Sequence, residues 1–263
     1  MSRVRPPMPV LYDDPVFFAG YRKMRDEDSG LNGSLEQPAV WGRLGSVAGL
    51  DILDLGCGFG DFLRDATRQR PRSMVGIDQS ARMISEARAR SKGLPITFQH
   101  MDIVTFRASP ETLDLVVSSM ALHYLEDYAG VVAAVHGWLR PGGRFLLTVE
   151  HPVCTANPVG WTSAPALDSD VWPLDRYQDE GPRTTRWYVD DVRKYHRTVE
   201  TYINTLLARG FELAWLGEPK PLRRRGRHWP DFSQHMRRPP VLLIDARKPA
   251  PQAMGSAQPR HGA

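Results

Sequence analysis

A doubly wound α/β sheet is the fold that this 263-residue sequence predicts. Three observations lead to it. Short apolar runs alternate with amphipathic stretches through the first two thirds of the chain, as strand and helix do in such sheets. The first apolar run ends in three glycines at alternate positions. The next two runs each end at an aspartate.

Asp51 to Leu55 reads as the first strand, stopped by glycine, and Asp61 to Gln69 as the helix after it. Met74 to Ile77 is the second strand, ending at Asp78. Ser80 to Ser91 is a helix that Ser80 is suited to cap. Ile96 to Met101 is the third strand. Leu113 to Ser119 is the fourth, apolar enough to lie buried in a parallel sheet. Tyr128 to Leu139 is helical and is closed by Pro141, Gly142 and Gly143. Arg144 to Val149 is the fifth strand. Phe211 to Leu216 and Val241 to Ile244 then form an antiparallel hairpin, which brings the sheet to seven strands.

Between the fifth strand and that hairpin the rhythm breaks. Residues 151–193 hold Trp161, Trp172, Tyr177, Trp187 and Tyr188 among Pro, Asp and Gly, with no clear period. So long a stretch, rich in aromatics, predicts a lid whose rings face a pocket. Val192 to Arg209 reads as a late helix ended by Gly210. The expected organisation is a substrate-cover segment at 1–34, a ligand-binding core at 35–150, and a lid with the late helix at 151–210. The hairpin at 211–247 follows, then a disordered tail at 248–263.

Composition bounds the function. Hydrophobic residues are 41% and charged residues 24%, which excludes a disordered chain, a collagen-like repeat and a coiled coil. No apolar run approaches the ~20 residues of a membrane span, and no secretory h-region follows the first residues. Cys57 and Cys154 make neither a disulfide framework nor a metal cluster, so no metal is expected and a reducing cytoplasm fits. The net charge is +4. Its basic excess, at Arg223, Arg224, Arg225, Arg227, Arg237 and Arg238, reads as a solvated loop.

The chemistry is carried by Asp54-Leu55-Gly56-Cys57-Gly58-Phe59-Gly60-Asp61. A strand ends, the backbone turns through glycines so that a ligand can approach its amides, and a helix begins. A dinucleotide turn would place its third glycine at position 61, where Asp61 would face a pyrophosphate. With Asp54 just ahead of it, the turn suits a cationic, amino-acid-bearing nucleoside instead. Asp78 at the end of the second strand can accept both ribose hydroxyls. Asp102 can accept an adenine amino hydrogen, with Met101 and Ile103 flanking the ring.

On these residues the sequence resembles the class I S-adenosylmethionine-dependent methyltransferases. The likeness rests on Asp54-Leu-Gly-Cys-Gly-Phe-Gly60, Gly76-Ile-Asp78-Gln79-Ser, Met101-Asp102, Leu113-Asp-Leu-Val-Val-Ser-Ser119 and Leu139-Arg-Pro-Gly-Gly143, and covers about residues 35–150. It implies a Rossmann-like sheet with a reversed C-terminal hairpin and S-adenosyl-L-methionine as cofactor, released as S-adenosyl-L-homocysteine. Gly56, Gly58 and Gly60 would pack on its methionine part, Asp78 would hold the ribose, Asp102 would hold the adenine, and Gln79 would also contact the cofactor. Ser118 or Ser119 would line the floor, and Met83 would touch the ring or serve the core.

For the acceptor, Ser119-Met-Ala-Leu-His-Tyr124 lacks the proline turn seen in methyltransferases of DNA amines, so DNA is not an expected partner. Three segments can enclose a flat apolar molecule: Phe17-Phe-Ala-Gly-Tyr21-Arg22, Glu150-His151-Pro-Val153 and Tyr195-His196 onward to Tyr202. Together with Tyr177-Gln-Asp-Glu-Gly-Pro-Arg183 they are similar to bacterial small-molecule methyltransferases, some of which methylate indole carbons in specialised metabolism. A small aromatic acceptor is therefore expected, with an indole-containing natural product as the specific form. An RNA or protein methyltransferase and a non-catalytic cofactor-binding module are the alternatives, and a homodimer is compatible with the sequence. Tyr21 and His196 are expected to act together on the acceptor, with His151 as the rival base.

Overall fold

The first strand, β1 (Asp51–Leu55), is buried along its whole length. Ile52 packs on one face of the sheet with Val40, Phe62, Leu63 and Ile84, while Leu53 and Leu55 pack on the other with Val131, Val135 and Tyr202. The computed structural model describes residues 10–157, 159–222 and 234–250. It opens with a 3-10 turn at Leu11–Asp13, α1 (Pro15–Asp26), and a π-helical turn at Asn32–Glu36 that runs into α2 (Gln37–Leu44). After β1 come α3 (Asp61–Ala66), β2 (Ser73–Asp78), α4 (Ala81–Arg90), β3 (Thr97–His100), β4 (Leu113–Ser119), α5 (Tyr128–Trp138) and β5 (Leu139–Glu150). The remainder is α6 (Pro152–Thr155), β6 (Thr162–Ala164), β7 (Ser169–Val171), β8 (Gly181–Trp187), β9 (Val189–His196), α7 (Val199–Ala208), β10 (Glu212–Gly217), α8 (Gln234–Arg237) and β11 (Val241–Arg247).

The seven-stranded sheet has the order β10-β11-β5-β4-β1-β2-β3. The five strands from β5 to β3 are parallel, and β11 runs antiparallel to both of its neighbours. This is the expected doubly wound sheet with its reversed hairpin. Both faces are covered: Leu115, Val117, Leu146 and Leu243 join the core beneath α2, α3 and α4, and Val116, Phe145, Leu147 and Ile244 join the one beneath α5 and α7. Burial on both faces is why these strands read as unbroken apolar runs. Strand order reverses between β1 and β4, and the carboxyl ends of the strands there open onto a crevice, the usual ligand position in such sheets.

Two expectations are corrected. Residues 151–193 are not without regular structure: β6 pairs with β7 and β8 with β9, both as antiparallel hairpins outside the main sheet. The late helix does not begin at Val192. Val192 to His196 belong to β9, and Thr198 caps α7 by accepting the Thr201 N–H at 3.1 Å. Glu180 reinforces that start, accepting from the Thr198 N–H at 2.6 Å and its hydroxyl at 2.9 Å. Val192, Val199, Tyr202 and Leu206 keep a helix-like spacing by coincidence across this break. Arg223, Arg224, Arg225 and Arg227 lie outside the described residues, as do residues 1–9 and the tail from 251. Among the described residues no helix is long and apolar enough to cross a membrane.

The hairpin is fastened to the sheet by a buried carboxylate. Asp245 on β11 is fully buried and pairs with Arg43 of α2 at 2.6 Å and Arg144 of β5 at 2.9 Å. Arg144 also donates to the carbonyls of Leu44 and Arg43, which closes the end of α2. Asp245→Ala leaves two guanidinium groups without their carboxylate and is expected to destabilise the fold by on the order of 3 kcal/mol. Urea denaturation measures it; a loss below ~1 kcal/mol would show that water replaces the carboxylate at little cost.

Candidate active site

After Leu55 the chain turns through Gly56, Cys57, Gly58, Phe59 and Gly60 into α3. The N–H groups of Gly56 and Cys57 both donate to the Ile77 carbonyl at 2.9 Å. The Gly58 N–H donates to Asp78 Oδ2 at 3.0 Å. The three glycines answer to different neighbours. A Cβ on Gly56 would lie 2.5 Å from the Ala121 Cβ, and one on Gly60 2.6 Å from the Phe98 ring. A Cβ on Gly58 meets nothing within 4 Å, although its φ of +52° strains other residues. Gly58 therefore faces open space where a ligand can lie on the backbone, whereas Gly60 serves packing.

Asp78 ends β2 with both oxygens engaged, the second accepting the Ser80 N–H at 2.8 Å. Burial pushes its carboxyl up to about 6, against the pull of these two amides. Ser80 caps α4 by accepting the Met83 N–H at 3.1 Å and donates its hydroxyl to Asp13 at 2.6 Å. Asp13 also accepts the Arg82 N–H, so the N-terminal segment is latched to the start of α4. Burial alone would raise the Asp13 carboxyl, but the bonds from Ser80, Arg82 and Ala81 hold it below the ordinary range. Asp54 is buried with Oδ1 lacking any donor. Burial, then the charges of Asp78 and Glu36, push it up to about 8. Glu36 is buried too, accepting the Thr148 hydroxyl at 2.5 Å and the Asn32 amide at 3.0 Å.

These groups line one continuous cavity of about 1500 Å³. Of the expected cofactor residues, Asp54, Gly56, Gly58, Asp78, Gln79, Met83, Asp102, Ile103 and Ser119 are in its wall. Gly60, Met101 and Ser118 are not. Met101 is 38% exposed on the far side of Asp102, and the buried Ser118 hydroxyl donates to the Leu55 carbonyl at 3.0 Å, tying β4 to β1. Met83, fully buried against the wall, is a core residue as well.

Tyr21 lines the cavity within an aromatic cluster. Its ring meets Tyr12 at 5.1 Å, Phe59 at 5.6 Å and Trp187 at 6.0 Å, and its hydroxyl accepts from Arg25 at 3.1 Å. Trp172 and Trp187 also line it, while Trp161 packs edge-on against Trp172 at 5.4 Å. The two expected histidines lie elsewhere. His196 is buried behind the wall, its Nε2 donating to the Tyr177 carbonyl at 2.9 Å and its Nδ1 accepting from the Thr155 hydroxyl at 2.6 Å. The structure thus does not bring His196 to Tyr21. His151 caps α6, accepting the Val153 N–H through Nδ1 and meeting Glu218 through Nε2 at 3.1 Å. Burial lowers both histidines below the usual range, and for His151 Glu218 opposes the shift.

Sequence reasoning missed several wall residues. Tyr12 and Tyr124 meet edge-on at 6.2 Å, and burial raises both hydroxyls. Lys194 pairs with Glu150 at 2.6 Å. His123 accepts the Glu150 N–H through Nδ1 and is kept neutral by burial, with the charges of Lys194 and Arg197 acting the same way. Among the described residues no group of three or more His, Cys, Asp or Glu side chains could hold a metal ion.

A methyltransferase-domain family model matches residues 52–143. The chain is 40% identical to an S-adenosylmethionine-dependent methyltransferase of Mesorhizobium loti, with a TM-score of 0.77 over 83% of this chain and 100% of the other. It is 35% identical to a Listeria monocytogenes protein assigned to the same class, with a TM-score of 0.74 over 81% of this chain and 96% of that one. It is 30% identical over 246 residues to an uncharacterized protein of Haemophilus influenzae, covering 90% and 96% of the two chains.

The raised carboxyls set a pH dependence. An aspartate with a folded pKa of about 8 and an ordinary value of 3.8 takes up a proton on folding between those limits. Stability contributed by Asp54, and over a narrower span by Asp78, therefore falls as pH rises from about 4 to about 8 and is constant above. The ligand-free Asp54→Asn protein is expected to lose less stability than the natural one between about pH 5 and about pH 8. Denaturation midpoints at both pH values measure it, and parallel profiles would refute the burial of an uncompensated Asp54 charge.

Proposed function

The chain belongs to the class I S-adenosylmethionine-dependent methyltransferases, and on that premise we propose that its acceptor is a small aromatic metabolite. The observation that carries the reading is the single cavity of about 1500 Å³. A pocket for one ligand measures ~300–1,000 Å³, so this one accommodates cofactor and acceptor side by side. A concave site lined by aromatic rings suits a small molecule better than RNA or a protein chain.

S-adenosylmethionine supplies a methyl group on a sulfonium already activated for transfer. The residues present fit it. Asp78 keeps lone pairs free for ribose hydroxyls after accepting two amides. Gly58 leaves room on the backbone. Asp54, with an oxygen lacking a donor, and Glu36 favour a cationic ligand, which would return Asp54 to its ionised form. Asp102, Ile103, Gln79 and Met83 frame the adenine end, and Ser119 the floor.

The acceptor's place is among Tyr12, Tyr21, Tyr124, Trp172 and Trp187, which suit a flat electron-rich ring such as an indole. Holding that ring against the methyl supplies most of the acceleration, since alignment alone is worth ~7–11 kcal/mol. Tyr21 touches the acceptor in this reading. His151 and His196, with both ring nitrogens engaged in the protein, act as positioning residues for α6 and the β8–β9 hairpin. The two free buried cysteines support a reducing cytoplasm as the compartment.

Incubation with labelled S-adenosylmethionine and a panel of aromatic metabolites, followed by mass spectrometry, tests the acceptor class; labelling of aliphatic compounds alone would overturn it. Asp78→Ala is expected to weaken S-adenosylhomocysteine binding by ~1.5–3 kcal/mol, the range for a charge-assisted hydrogen bond. Calorimetric titration reads that change, and unaltered affinity would remove Asp78 from the ribose. His196→Gln is expected to lower the melting temperature while kcat stays within about tenfold of the natural enzyme, short of the ~10²–10⁴-fold loss of a general base.

A further inference from the structure

The wall of the cavity formed by α6, by Trp172 after the β6–β7 hairpin and by the segment before β11 holds an arginine with an unusual set of partners. Arg238 stacks its guanidinium on Trp172, 3.9 Å from the ring centroid. One terminal nitrogen reaches Cys154 Sγ at 3.0 Å. Burial pushes that thiol up to about 12, so it is neutral and offers no counter-charge. Arg238 Nε is buried without an acceptor among the described residues. No carboxylate of the described residues lies within 4.0 Å of the guanidinium. The acids closest to hand are engaged: Glu150 with Lys194 at 2.6 Å, and Glu218 with His151 at 3.1 Å. His235, also in the wall, is pushed down to about 4 by burial and by Arg238, and is neutral.

A guanidinium presents Nε–H and one Nη–H as a side-on fork that matches the two oxygens of a carboxylate. Here the stacking tryptophan fixes the plane of the group, Cys154 takes one corner, and Nε has no acceptor among the described residues. A half-buried cation in a cavity wall is costly unless something anionic meets it. Glu36, Asp54, Asp78 and Asp102 line the same cavity and none of them pairs with Arg238. We propose that Arg238 is a specificity-determining residue that grips a carboxylate on the methyl acceptor, making the substrate an anionic small molecule. This deepens the reading of the site as a small-molecule methyltransferase and rests on it.

The test uses calorimetric titration of the full chain saturated with S-adenosylhomocysteine, with two matched pairs of probes: indole-3-acetate against indole-3-acetamide, and adipate against adipamide. Each pair keeps shape and changes charge. The expected result is binding at least about tenfold tighter for the acid of a pair, equal to ~1.4 kcal/mol. Arg238→Met is expected to abolish that preference and Arg238→Lys, which keeps the charge but not the fork, to retain part of it. S-adenosylhomocysteine affinity is expected to be unchanged in both variants. A preference confined to the adipate pair keeps the anion inference and refutes the aromatic acceptor. Indole binding without preference for the acid keeps the aromatic acceptor and overturns the inference. The absence of charge preference in both pairs, or a loss of S-adenosylhomocysteine affinity in Arg238→Lys, also overturns it. The natural protein gives the first comparison by itself, so the inference is exposed even if Arg238→Met fails to fold.

Discussion

Asp78 accepts one backbone N–H from the glycine turn and another from the start of α4, and the architecture of the cavity is arranged around those two bonds. A carboxylate this deeply buried needs donors, and the two amides meet that need while its remaining lone pairs stay free. They also fix distances. The turn after β1 cannot drift from the end of β2, because the Gly56 and Cys57 amides share the Ile77 carbonyl beside it. Ser80 extends the same line to Asp13, so the N-terminal segment takes its position from the sheet that it covers.

The cavity is uneven in charge and in texture. Around the glycine turn it is lined by carboxylates, two of them held partly protonated by burial. Beside them it is aromatic, with Tyr12, Tyr21, Tyr124 and Trp187 meeting mostly edge to face and Tyr21 packing on Phe59 of the turn. Such arrangements let ring edges and faces meet with favourable electrostatics and leave flat slots between them.

The sheet was legible because its strands are buried on both faces and its turns carry glycine, proline and serine in positions with one sensible use. Asp54, Asp78 and Asp102 were legible as acids at strand ends. The hairpins of residues 162–196 were not. In β8 the residues turned inward are Gly181, Arg183, Thr185 and Trp187, so the alternation of burial has no matching alternation of hydrophobicity. A half-buried strand whose inward positions mix glycine, arginine, threonine and tryptophan hides its period. His196 misled for a related reason: an aromatic, polar cluster resembles a catalytic one, while in the fold its two nitrogens meet a threonine and a main-chain carbonyl. Gly60 and Ser118 sit within the right motif, yet they serve Phe98 and the Leu55 carbonyl. Motif membership does not distinguish a glycine that makes room for a ligand from one that makes room for a phenylalanine.

The N-terminal segment over the cavity has its own mode of attachment. Among the described residues, 10–26 add no strand to the sheet. They hold on through the Asp13 carboxylate, the ion pairs of Arg22 with Glu86 and Asp26 with Arg90, the contact of Arg25 with Asp61, and ring edges. The fully buried Phe17 ring adds contacts to Tyr12, Trp187 and Tyr188, while neither core cluster of the sheet includes a residue of this segment. Its release would leave both cores of the sheet intact, so its amides can open locally without global unfolding. Amide hydrogens of α1 would then exchange with solvent before those of β1 and β4.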